Sequence, residues 1–74
     1  MFIELTELIT GGLSTGKERQ ISINTNRVIS FTPVESGEGT NIEVKRGIVR
    51  VKQTYDEVKE LIAWVYYQLL DENY

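Results

Sequence analysis

Gly11-Gly12-Leu13-Ser14-Thr15-Gly16-Lys17 fills the first seven positions of the phosphate-cradling pattern G-x-x-x-x-G-K. In that pattern the amides of a glycine-rich loop surround phosphate oxygens, the lysine neutralises charge, and an eighth residue, Ser or Thr, reaches magnesium. Here the eighth residue is Glu18, and the residues after it alternate like a strand where the pattern needs a helix. A nucleotide-hydrolysing loop is therefore excluded. What survives is a simpler anion site, in which the amides of Gly11, Gly12 and Gly16 donate while Lys17 and Arg19 supply positive charge. The plainer alternative is a hairpin loop whose charges are solvated.

No other pattern assembles a reaction centre. The chain has no histidine and no cysteine, which removes nucleophilic triads and the usual zinc ligand sets. Acid and base pairs need one carboxyl in a partly dry cleft, and Glu4, Glu7, Glu35, Glu38 and Glu43 fall on strands or loops where solvation is the simpler expectation. No catalytic residue, metal or cofactor is expected, and an enzyme is the least favoured class. Trp64, Tyr66, Tyr67 and Leu70 carry a different chemistry: three large aromatics with polar tips and one aliphatic neighbour, which either anchor a protein interface or are buried by a strongly curled sheet that wraps the helix.

The elements that must position these residues follow from periodicity. Ile3 and Leu5 alternate with Glu4 and Thr6, Ile21 and Ile23 with Ser22 and Asn24, and Ile29 and Phe31 would face the core from a third strand that Pro33 ends or holds at a sheet edge. Asn24-Thr25-Asn26 supplies a turn through asparagine's bonds to its own main chain. Ile42 and Val44 pair with a return strand across an Arg46-Gly47 hairpin turn. Strands are expected at about 2–8, 19–24, 27–33, 41–45 and 48–52, and a helix at about 55–70. Thr54-Tyr55-Asp56-Glu57 matches a capping box, with the Thr54 hydroxyl accepting from the Glu57 amide and Glu57 reaching back to the Thr54 amide. Val58, Leu61, Ile62, Val65 and Leu69 then form one apolar stripe. The expected fold is α+β: four to five antiparallel strands, open or curled into a small barrel, packed by one C-terminal amphipathic helix.

A chain of 74 residues has room for one domain with a thin core, buried to roughly 60–65% of the unfolded surface. With no cysteine to staple it, self-association is the economical source of further stability. Eight basic and eleven acidic residues give a net charge of −3. That balance argues against general nucleic-acid binding and favours a partner protein or a small anionic ligand. The absence of a basic leader segment and of any long apolar run points to a cytoplasmic protein free of membranes.

Across most of the chain the order of features resembles the small FlbD-type flagellar proteins. The resemblance is carried by Ile3-Glu4-Leu5-Thr6, the Ile21 to Asn24 strand, the strand ending at Pro33, Asn41-Ile42-Glu43-Val44, the Gly47 turn, and Val51-Lys52-Gln53-Thr54 leading into Asp56-Glu57-Val58. It implies an accessory role in assembling a flagellar or secretion apparatus. The residues by themselves point instead to a self-associating, non-enzymatic binding module, comparable to accessory or inhibitor proteins of bacteria and phages, that occupies a partner protein or sequesters a nucleotide-like anion.

Overall fold

The computed structural model describes residues 1–35 and 37–72, the last three by backbone alone. Five strands, β1 (Phe2–Leu8), β2 (Glu18–Asn24), β3 (Val28–Pro33), β4 (Thr40–Val44) and β5 (Gly47–Val51), precede one helix, α1 (Tyr55–Glu72). The strands form one antiparallel sheet in the order β2-β1-β5-β4-β3. This is the expected α+β architecture, with the sheet open and not closed into a barrel.

Two hydrogen-bonded units make up the sheet, and they meet at a narrow seam. β1 and β2 pair along their whole length from Phe2↔Asn24 to Leu8↔Glu18, whereas β1 meets β5 at Glu7↔Val51, with the Lys52 amide donating to the Thr6 carbonyl at 2.8 Å. Gln53 extends the seam beyond the strands. Its side-chain oxygen accepts from the Thr6 amide at 2.9 Å and its side-chain nitrogen donates to the Thr6 hydroxyl at 3.2 Å. Fully buried Thr40 closes the arrangement by donating its hydroxyl to the Gln53 carbonyl at 2.8 Å. The edge strands β2 and β3 are joined by a 3-10 turn, Thr25–Arg27. Four Cα steps span at most about 15 Å, so the two edges are held near one another and the sheet is curled without being closed.

Alternation decides what enters the curl. Ile3, Leu5 and Ile23 come from the first hairpin, Ile42 and Val51 from the second unit, and Val58 and Val65 from α1; together they are one buried cluster. The parity of β3 differs from expectation. Val28 pairs with Val44 and Ser30 with Glu43, leaving Ile29 as an extra residue between them. Such a bulge shifts every preceding side chain to the opposite face. Ile29 is accordingly 64% exposed, while Val28 and Phe31 turn inward. Pro33 lies on the edge strand, where its missing N–H is harmless.

Two turns also correct the expectation. Val44 pairs with Gly47, so Lys45 and Arg46 make the β4–β5 turn and Gly47 opens the return strand. Neither turn residue has a positive φ, so the turn is not a primed one; Gly47, with φ 145°, takes the unusual backbone at the strand's start. At the helix, the Glu57 amide donates to the Thr54 hydroxyl at 3.2 Å as a capping box requires. The reciprocal bond takes another route: the Glu57 carboxylate accepts from the Thr54 hydroxyl, at 3.2 Å, and not from its amide.

Candidate functional site

The glycine-rich segment is a tightly tied connection between β1 and β2. The Ile9 amide donates to the Lys17 carbonyl at 2.9 Å and the Gly16 amide to the Ile9 carbonyl at 2.8 Å. Thr15 donates its hydroxyl to the Gly12 carbonyl at 2.9 Å. The amide of Gly16 is thus already committed. Arg19 is committed too, ion-paired with Glu7 across the β1–β2 ladder. Of the five residues proposed from sequence for an anion, Gly11, Gly12 and Lys17 are exposed in this loop, while Gly16 and Arg19 serve the hairpin itself. Of the four strand carboxylates Glu7 is the one that is not exposed; Glu4, Glu18 and Glu43 are, and Glu4 and Glu43 accept from the hydroxyls of Ser22 at 2.6 Å and Ser30 at 3.1 Å.

The aromatic residues of α1 are outside the core. Val58 and Val65 point almost the same way on a helix of 3.6 residues per turn, and relative to them Tyr66 lies about 90° round, Trp64 about 110° on the other side, and Tyr67 about 170° away. Exposure follows that geometry: Trp64 is 57%, Tyr66 65% and Tyr67 70% exposed. Exposed Ala63 falls between the two tyrosines. Leu70, expected as a further interface anchor, lies outside the residues whose side chains are described. The stripe expected to be buried is shorter than its spacing suggests: Val58 and Val65 are in the buried cluster, whereas Leu69 is 39% exposed. Tyr55 contributes at the other end, its ring centroid 5.3 Å from that of Phe31.

A third surface has no counterpart in the sequence reading. Where the Phe2 and Asn24 end of the first hairpin approaches the β4–β5 turn, a cleft of 720 Å³ opens, lined by apolar Phe2, Ile23, Val44 and Val49, polar Ser22 and Asn24, and basic Arg27, Lys45 and Arg46. The three cations are separated in sequence by up to nineteen positions, and it is the short 3-10 turn and the hairpin turn that bring them to one opening. Spacing along the chain held no signal for that convergence.

Arg50 was likewise unmarked by the sequence. It borders a smaller hollow with Leu8, Ile9, Thr10, Thr15 and Gly16, and its guanidinium is 3.8 Å from where a β-carbon on Gly37 would stand. Both glycine-bearing loops therefore adjoin one arginine. Its Nε is buried without a hydrogen-bond partner.

Comparison with known proteins adds no relative: no family model, no curated protein and no solved structure matches the chain. Among the described residues, no helix is long and apolar enough to cross a membrane.

Proposed function

We propose that this protein is a non-enzymatic binding module that self-associates through the outward half of α1 and works by holding a partner protein or a small anionic ligand. The observation that carries the reading is the exposure of Trp64, Tyr66 and Tyr67 on a single helix of a small chain. Clustered Trp and Tyr side chains in water are the usual anchors of protein interfaces, and an uncovered apolar patch lowers its free energy by finding company. A second copy is the occupant favoured by the chain's own economics, since its core is thin and has no covalent staple.

Sedimentation velocity of the wild-type chain beside Trp64→Ala tests this. The wild type is expected to run as a small oligomer whose weight falls on dilution, and the variant as a folded monomer. Because Trp64 is exposed, its removal leaves the core intact, which circular dichroism checks. Equal, compact monomers for both proteins across the accessible concentration range overturn the self-association.

A further inference from the structure

We propose that the basic cleft between the first hairpin and the β4–β5 turn binds a small phosphorylated ligand carrying a flat apolar ring, of which a nucleoside monophosphate is the simplest form. The proposal rests on the binding-module reading but not on self-association. It also moves the ligand away from the glycine loop, where Gly16 and Arg19 are already engaged within the chain.

The cleft's 720 Å³ lies within the roughly 300–1,000 Å³ of small-ligand sites. Its lining divides into the two chemistries such a ligand needs. Arg27, Lys45 and Arg46 supply three exposed cations with no carboxylate among the lining residues, and the salt bridges of the described residues use Arg19 and Lys52 instead. Arginine offers a planar fork of donors that matches phosphate oxygens, and lysine a mobile point charge. Phe2, 66% exposed beside Val44 and Val49, gives a ring face on which a base stacks.

Charge selects the size of the ligand. The whole chain is net −3, so the surface beyond the three cations is acidic and repels a long polyanion, whereas a ligand that fits inside the opening meets only the positive part. Ser22 is oriented by donating to Glu4 at 2.6 Å, which leaves its oxygen to accept from a ring amine or ribose hydroxyl. Glu4, which holds that Ser22 hydroxyl, is an acidic group beside the wall and works against a phosphate.

Isothermal titration of the full chain with adenosine monophosphate, adenosine, inorganic phosphate and a short single-stranded oligonucleotide tests the site. Saturable binding is expected for the monophosphate, with adenosine and phosphate each at least about tenfold weaker, since each lacks half of the contacts. Arg27→Ala and the Lys45→Ala/Arg46→Ala pair should each weaken the monophosphate by about tenfold or more, and Glu4→Gln should tighten it; Lys17→Ala should change it by less than about twofold. These side chains are exposed, so the variants keep the fold. The proposal is overturned by no binding of the monophosphate to the wild type, by binding that survives loss of the three cations, or by loss confined to Lys17→Ala, which returns the ligand to the glycine loop. An oligonucleotide that outcompetes the monophosphate site for site also overturns it, in favour of a nucleic acid. A monomeric wild type that binds the monophosphate leaves it standing and removes only self-association.

Discussion

A β-carbon added at Gly39 would stand 2.4 Å from the Val51 carbonyl oxygen, and the residue's φ of +115° lies where side chains are rarely tolerated. Both conditions arise because the loop after β3 folds back to let the Val34 amide donate to the Gly39 carbonyl, at 3.2 Å, against the end of β5. The obstructing atom belongs to the backbone and cannot swing aside. Gly39→Ala is therefore expected to destabilise the chain by ~2–4 kcal/mol, and urea unfolding measures it. At Gly12, where φ is +69° but nothing lies within 4 Å, alanine should cost only the ~1–2 kcal/mol of the left-handed backbone. Equal losses at the two positions would contradict the close approach. The sequence shows six glycines and gives no sign of which one is pressed against another strand, because that contact is made by residues twelve positions apart. Ile29 teaches the same lesson in reverse: alternation along 28–33 is legible, but the bulge that ejects Ile29 is set by pairing with β4 and is invisible in β3 alone.

Elements were more legible than single residues, since each strand and the helix carries its period within itself. The first hairpin and the start of α1 follow from Ile3, Leu5, Ile23 and the Thr54 to Glu57 cap, all local patterns. What joins the elements was hidden. Gln53, a polar residue just past β5, imitates a strand by bonding both the amide and the hydroxyl of Thr6, forty-seven positions away. Replacing it with an apolar isostere leaves the Thr6 amide without that partner in a part-buried place, so Gln53→Leu should destabilise by ~1–3 kcal/mol. Gln53→Glu keeps an acceptor for the Thr6 amide and should cost less in the same unfolding experiment. If leucine and glutamate behave alike, the side chain is not pairing as described. The candidate cleft belongs to this hidden level too: Arg27, Lys45 and Arg46 each look like an ordinary turn cation, and only the link between the sheet's two edges turns them toward one opening.

At the scale of the whole molecule the question is whether two sheet units joined at Glu7↔Val51 fold as one. A hydrogen-bonded seam this narrow would suggest that the β1–β2 hairpin could open by itself. The core argues otherwise, because Ile3, Leu5 and Ile23 of the hairpin share one buried cluster with Ile42, Val51, Val58 and Val65. Neither unit has a second apolar layer to retreat to, so separating them exposes most of the buried side chains at once, and at roughly 25 cal/mol per Å² that loss outweighs the few hydrogen bonds of the seam. Native-state hydrogen exchange should therefore give the amides of Leu5 and Ile23 the same opening free energy as those of Ile42 and Val51, all equal to the global unfolding value. The loop at residues 10–16 and the helix beyond Val65, outside that cluster, should open with far less. A hairpin that exchanges well before β4 and β5 would show that the seam and not the shared core sets cooperativity, and the binding cleft between the two units would then have a mobile wall.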